Sequence, residues 1–341
     1  MKDIKTIEFK EDTLYLIDQR KLPATCEYFQ CKNYRDVDFA IADMVVRGAP
    51  AIGAAAAYGV VLAAKEFLKE DREQFFKKLD EALQVLNESR PTAVNLMWAI
   101  NRMRKVIDKN KDLPLEAIYE KIKEEADTIY KEDVETNKRI AQYGNELIKD
   151  GDRILTHCNT GALATVQYGT ALGVIREAHY SGKNIFVYAD ETRPRLQGAK
   201  LTAWELMQEG IPFKLISDSA AATLIRDGKV DLIIVGADRI ASNGDTANKI
   251  GTFMLSVVAK AYNVPFYIAA PTSTIDYDIK SGEEIVIEER SSEEITHING
   301  IRIAPEGVEV YNPAFDVTPY ENITGLITEK GVFPPNKLPL P

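Results

Sequence analysis

The chain has 341 residues and carries 42 Lys plus Arg against 52 Asp plus Glu, a formal charge of −10 at neutral pH. An acidic surface repels nucleic-acid backbones and anionic membranes, which are bound by basic stripes, while a few local arginines still suffice for a small anion. With 45% hydrophobic and 28% charged residues the composition is that of a globular protein of one or two domains, which excludes fibrous and disordered classes.

Three cysteines, an odd number without close pairing, make no disulfide framework and fit a reducing compartment. The opening Met1-Lys2-Asp3-Ile4-Lys5 has no apolar leader, and the longest apolar stretch, 49–64, is interrupted by Gly53, Tyr58 and Gly59 and falls short of a membrane span. These features lead to the expectation of a cytoplasmic protein with neither membrane nor nucleic-acid partner.

In chain order, residues 6–9 and 13–17, split by the polar Lys10-Glu11-Asp12, predict a β-hairpin. From Tyr34 the spacing turns helical, with Val37, Ala40, Ile41, Met44 and Val45 on one stripe and Gly48 placed to end the helix. Pro50 then begins another. Segments 51–68, 75–86, 93–107 and 115–148 repeat apolar residues at three and four spacing. Beyond Gly151-Asp152, short apolar runs at 154–157, 185–189, 213–216, 232–235 and 266–269 alternate with helical segments. That alternation predicts βαβ units and a parallel, doubly wound sheet. The expected class is α/β, with a small, mostly helical N-terminal domain carrying a short β element over 1–150 and a parallel-sheet domain over 151–341. The Pro-rich tail from 334 reads as an extended strap.

Ligands of such sheets bind beyond the carboxyl ends of the strands. Those ends are chemically rich here: Thr156-His157-Cys158-Asn159, Asp190-Glu191-Thr192-Arg193, Ser217-Asp218-Ser219 and Gly236-Ala237-Asp238-Arg239. Asp218-Ser219 reads first as a cap for the helix that follows. Asp238 instead ends an apolar strand and precedes the loop 242–245, a setting that disfavours the charged carboxylate and suits a proton donor. Cys158 is followed by Asn159-Thr160-Gly161, which leads towards a helix expected from about Ala162, where a thiol can be activated; a small buried hydrophobe is its plainer reading. Cys26 and Cys31 read as structural.

Among the cations, Arg47-Gly48-Ala49-Pro50 and Arg90-Pro91-Thr92 each set an arginine before a helix that opens with Pro. A helix start offers unpaired amides and a positive dipole end, so the two together read as phosphate clamps, while a lone Arg-Pro pair is usually only a surface helix start. Phosphate-binding Gly-rich loops, the Gly-x-Ser-x-Gly elbow and metal spacing among His157, His179 and His297 are missing, so no cofactor and no metal are expected. Acid/base chemistry on a small phosphorylated molecule, by a thiol and a carboxyl group, is what remains.

Six motifs in order carry a specific likeness: Arg47-Gly48-Ala49-Pro50-Ala51-Ile52-Gly53, Arg90-Pro91-Thr92-Ala93-Val94-Asn95-Leu96, Thr156-His157-Cys158-Asn159-Thr160-Gly161, Glu191-Thr192-Arg193-Pro194 with Gln197-Gly198, Gly236-Ala237-Asp238-Arg239, and Asn248-Lys249-Ile250-Gly251-Thr252. Together the sequence resembles the methylthioribose-1-phosphate isomerases of methionine salvage. Their superfamily also holds ribose-1,5-bisphosphate isomerases and regulatory subunits of the exchange factor for translation initiation.

The resemblance implies a helical N-terminal domain, a Rossmann-like second domain and a homodimer. It implies Asp238 as proton donor and Cys158 as transition-state stabiliser, with Arg47, Gly48, Ala49, Arg90, Gln197, Asn248 and Lys249 at the substrate. The implied reaction is cofactor-independent aldose–ketose isomerisation of 5-methylthioribose 1-phosphate to 5-methylthioribulose 1-phosphate. Hydrogen passes from C2 to C1 either as hydride or through an enolate. Ribose 1,5-bisphosphate and 5-deoxyribose 1-phosphate are alternative substrates, and a non-enzymatic regulatory subunit is the remote alternative. Lys249 is read at the substrate rather than as a solvent-facing lysine at a helix start.

Overall fold

The computed structural model describes residues 4–90 and 93–339. Two compact units divide the chain: a helical unit, Lys2–Lys138 with Gly161–Gly169, and a sheet unit, Arg139–Thr160 with Thr170–Pro341.

The helical unit opens with three antiparallel strands, β1 (Ile7–Lys10), β2 (Thr13–Ile17) and β3 (Tyr28–Cys31). Lys10 pairs with Thr13, so Glu11 and Asp12 form a two-residue turn, both at positive φ as a tight hairpin requires. The hairpin is as predicted; β3 is an addition, its Tyr-Phe-Gln-Cys run too short to show alternation. α1 (Tyr34–Ala42) starts at Asn33, whose side chain accepts the amides of Arg35 and Asp36 while the Asp36 carboxylate accepts the Asn33 amide.

The predicted stop at Gly48 is corrected. α1 ends after Ala42 because Met44 enters the left-handed region at φ 59, and Val45 and Val46 turn into the core. Gly48, at φ 96, instead starts α2 (Ala49–Phe67), with Pro50 in its first turn. Fifteen of the 19 residues of α2 are buried, the mark of a central helix apolar on all sides. Around it pack α1, α3 (Arg72–Glu88) and α4 (Val94–Lys109), and α5 (Leu115–Asn145) adds Ile118, Ile122 and Ala126 to the same core. No helix among the described residues is long and apolar enough to cross a membrane.

The sheet unit runs β4 (Arg153–Thr156), α6 (Ala171–Tyr180), β5 (Phe186–Asp190), α7 (Ala203–Glu209), β6 (Phe213–Ile216), α8 (Ala220–Arg226) and β7 (Leu232–Val235). It continues through β8 (Arg239–Ala241), β9 (Thr246–Lys249), α9 (Thr252–Ala261), β10 (Phe266–Ala269), β11 (Ile275–Asp276), α10 (Glu293–Thr296), β12 (His297–Ile298), β13 (Ile301–Arg302), β14 (Phe315–Thr318), β15 (Gly325–Thr328) and β16 (Gly331–Phe333). The main sheet is ordered β16-β15-β10-β7-β4-β5-β6, parallel throughout except for β16.

Counted along the chain, its six parallel strands lie in the order 3-2-1-4-5-6, so the winding reverses between β4 and β7. The α/β class and the doubly wound parallel sheet are as the sequence predicts. A smaller sheet, β11-β8-β9-β14, is not foreseen: Thr246-Ala247-Asn248-Lys249 is a largely polar run without apolar alternation, yet all four residues are buried.

The helix predicted from Ala162 is also corrected. Only a 3-10 turn, Ala162–Ala164, forms there, and α6 starts at Ala171. The carbonyl of Thr160 accepts the amides of Thr170 and Leu172, which pinches 161–169 out as a loop. Cys158 therefore does not feed an α-helix N-terminus.

Candidate active site

The switch point of the sheet unit is built by the ends of β4 and β7. Neighbouring strands lie about 4.8 Å apart, and Ile154 and Leu155 pair with Leu232 and Ile233. Cys158 follows β4 by two residues and Asp238 follows β7 by three, so both predicted chemical residues leave adjacent strand ends. The half-buried Cys158 sits at φ 64, a conformation rare outside glycine. Its amide donates to Thr192 Oγ1 at 2.8 Å, and its carbonyl accepts from Thr202 Oγ1 at 2.6 Å. Thr192 is itself left-handed, and the Asp218 carboxylate holds it by accepting the amides of Thr192 and Arg193, both at 2.7 Å.

That use of Asp218 corrects the capping reading. α8 begins at Ser219 without a side-chain cap, and the Asp218 carboxylate is committed to the loop after β5. The sequence also gives no role to His157, the residue before Cys158. Thr156 pairs with Ala189, which brings His157 level with Asp190. His157 Nδ1 lies 2.8 Å from Asp190 Oδ2, and Nε2 lies 2.9 Å from the carbonyl oxygen of Ile250, with both side chains fully enclosed. Burial pushes the Asp190 carboxyl up to about 6, against the pull of His157. Burial lowers the imidazole, but the Asp190 hydrogen bond and charge outweigh it, and the net shift is upward.

His157, Asp190 and Asp218 offer ligand atoms within 4.8 Å of one another, the spacing of a metal cluster. Both ring nitrogens nevertheless face hydrogen-bond acceptors, and Asp218 accepts two amides, so the donor set fits a proton better than a cation.

Asp238 is half-buried, and its amide donates to the carbonyl of Ala247 at 2.9 Å. The β8–β9 hairpin thereby ties the Asp238 loop to Asn248 and Lys249. Asn248 is buried and donates to Thr252 Oγ1 at 2.9 Å. Lys249, also buried, donates to the Ala314 carbonyl at 2.9 Å and lies 4.2 Å above the Phe315 ring. It belongs to a strand, not to a solvent-facing helix start. Gln197 is buried on the loop after β5, and its Oε1 has no hydrogen-bond partner among the described residues. A buried acceptor left unmade costs free energy, and a substrate hydroxyl would satisfy it.

In the helical unit, Arg47 is half-buried, Gly48 caps α2 and Ala49 opens it. A Cβ on Gly48 would overlap the backbone of Ala164, so this position needs glycine for space as well as for φ. Arg90, half-buried, precedes α4, which starts at Val94 after Ala93; Pro91 and Thr92 lie outside the described residues. Gly53, in the second turn of α2, abuts the Asn95 carbonyl in the first turn of α4. The two helix starts that follow Arg47 and Arg90 thus lie side by side, and their positive dipole ends add.

The sequence pattern of the initiation factor 2 subunit family matches residues 45–335. This chain belongs to that family. Within the initiation factor 2 subunit family it is 78% identical over 335 residues to the methylthioribose-1-phosphate isomerase of Thermoanaerobacter sp. (strain X514), covering 98% of this chain and 97% of that protein. The Natranaerobius thermophilus protein of the same name is 61% identical, with the same coverage. Among solved structures, 5-methylthioribose 1-phosphate isomerase from Pyrococcus horikoshii OT3 superposes with a TM-score of 0.93 at 49% identity, covering 99% of this chain and 94% of that one. The A. fulgidus protein described as translation initiation factor eIF-2B, subunit delta, gives 0.87 at 48%, covering 97% and 96%.

Proposed function

We propose that this chain is a methylthioribose-1-phosphate isomerase, a cofactor-independent aldose–ketose isomerase converting 5-methylthioribose 1-phosphate to 5-methylthioribulose 1-phosphate. The observation that carries the reading is the placement of Cys158 and Asp238 on adjacent strand ends at the switch point, in a chain 78% identical to a protein of that name. The substrate is a furanose fixed as a 1-phosphate ester, so its ring has no free aldehyde in equilibrium and must be opened by the enzyme. Asp238 gives its proton to the ring oxygen, and the C1–O bond breaks with its electron pair leaving on that oxygen. Hydrogen then moves from C2 to C1, the O2 hydroxyl returns a proton to the Asp238 carboxylate as C2 becomes a ketone, and the sum is an isomerisation without external oxidant. Cys158 stabilises the charge that develops.

Arg47 and Arg90, with the helix starts behind them, take the phosphate; Gly48 and Ala49 contribute backbone amides, and Gln197, Asn248 and Lys249 take hydroxyls and the phosphate rim. The same reading includes a homodimer in the cytoplasm, for which light scattering on the purified protein gives the subunit count. Deuterium at C2 separates the two hydrogen routes: a hydride shift keeps the label in the product, and an enolate exchanges it with water.

The experiment that tests the function is turnover of 5-methylthioribose 1-phosphate beside ribose 1,5-bisphosphate and 5-deoxyribose 1-phosphate. The expected preference is for the methylthio sugar, with the deoxy sugar also accepted; preference for the bisphosphate would overturn it. The A. fulgidus description favours a regulatory-subunit reading, which has no use for Cys158 and Asp238 together and predicts no turnover of any of the three.

A further inference from the structure

We propose that His157 is a positioning residue of this reaction, its ring setting both the backbone of Cys158 and the Asn248–Gly251 turn. The proposal rests on the isomerase reading. Its basis is a count of protons. The Ile250 carbonyl can only accept, so Nε2 must carry a hydrogen. The 2.8 Å approach of Nδ1 to Asp190 Oδ2 requires a second hydrogen between them. The pair therefore holds two protons, as imidazolium facing carboxylate or imidazole facing carboxylic acid, and is net neutral either way. Asp218 beside it and Asp316 on β14 are the further acidic groups that act on the ring.

A ring held at both nitrogens cannot rotate, and it belongs to the residue whose carbonyl carbon joins the Cys158 amide. Thr192 Oγ1, two residues beyond Asp190, receives that amide. On its other side the ring fixes Ile250, which directly follows Asn248 and Lys249. Gly251, at φ 103, admits the ring: a Cβ there would stand 3.0 Å from His157 Cε1. Asp316 closes the bracket by accepting the amides of Gly251 at 2.7 Å and Phe253 at 3.0 Å. One imidazole thus links the proposed thiol to the proposed sugar-binding turn. Buried ion pairs add little net stability, so positioning accounts for the arrangement better than stabilisation does.

The test uses full-length His157→Gln, His157→Asn and Asp190→Asn. A glutamine amide reaches the Nε2 position and keeps the bond to Ile250; an asparagine amide reaches the Nδ1 position and keeps only the bond to Asp190. His157→Gln and Asp190→Asn are expected to lower kcat by about 100-fold with KM little changed, since misplacement of about 1 Å costs that much. His157→Asn is expected to raise KM about tenfold, the loss of one good hydrogen bond at the binding turn. Iodoacetamide labelling of Cys158, read by peptide mass spectrometry, is expected to change several-fold in His157→Gln, and all three variants should keep a cooperative thermal transition.

An unchanged kcat in His157→Gln, an unchanged KM in His157→Asn or loss of cooperative unfolding would each overturn the proposal, the last by assigning the pair to the fold. Should the wild-type protein fail to turn over the methylthio sugar, the isomerase reading fails separately. The labelling rates still decide whether His157 sets Cys158.

Discussion

The two units solve folding with opposite materials. The helical unit is organised around α2, whose buried residues are mostly Ala, Val, Ile and Leu with Tyr58 and Phe67, and its stability comes from close packing of those side chains. The sheet unit encloses His157, Asp190, Thr192, Gln197, Thr202, Asn248, Lys249 and Thr252 around the ends of β4, β5 and β9. Burying polar groups is costly unless each is paired, and here a hydrogen-bonded network at the strand ends offsets that cost. The difference teaches where each kind of mutation should register. Changes to the helical core should move stability and leave chemistry alone; changes at the strand ends should do the reverse.

Replacing Cys158 by Ala is expected to cost about 100- to 1000-fold in kcat from removal of one stabilising group, with a near-normal unfolding temperature. Steady-state rates beside a thermal melt measure both sides, and an unfolding temperature that falls with kcat would break the comparison. Leu86→Ala removes a fully buried side chain from the helical core and is expected to cost about 2–5 kcal/mol by urea unfolding, with kcat per folded molecule unchanged.

A smaller effect sharpens the comparison at a polar exception within the helical unit. The Asp133 carboxyl accepts the Val166 amide at 2.8 Å, and although the residue reaches the surface, enclosure of its carboxyl pushes it up to about 7. A carboxyl raised above its ordinary value stabilises the fold fully below that ordinary value, near 3.8, and the contribution is lost as pH rises through about 7. The unfolding temperature of Asp133→Asn should therefore gain on that of the wild type between pH 5 and 8. A constant difference across that range would contradict the assignment.

Much of this was legible from one sequence. Apolar runs leading to Cys158 and Asp238 put both residues just beyond strand ends, and Arg47-Gly48-Ala49-Pro50 marked the start of α2, whereas α4 starts only at Val94. What stayed hidden depends on long-range register. His157 meets Asp190 only because Thr156 pairs with Ala189, and Asp218 meets Thr192, 26 residues away in sequence, because Ile216 pairs with Asp190. No local pattern carries such information. β9 was missed for a related reason: Asn248 and Lys249 are polar yet buried, because Thr252, Ala314 and Phe315 receive their polar ends. The helix predicted at Ala162 stops after one 3-10 turn, because the Thr160 carbonyl draws the amides of Thr170 and Leu172 back to it and pinches the residues between into a loop.

The central claim is that a carboxyl group at the end of β7 opens the sugar ring. Asp238→Asn keeps the size and the backbone hydrogen bond to Ala247 but cannot give a proton. With 5-methylthioribose 1-phosphate as substrate, kcat should fall by about 100- to 10,000-fold, the range for loss of a general acid, while the variant still binds substrate and melts as the wild type does. Turnover within a few-fold of the wild type would contradict the account.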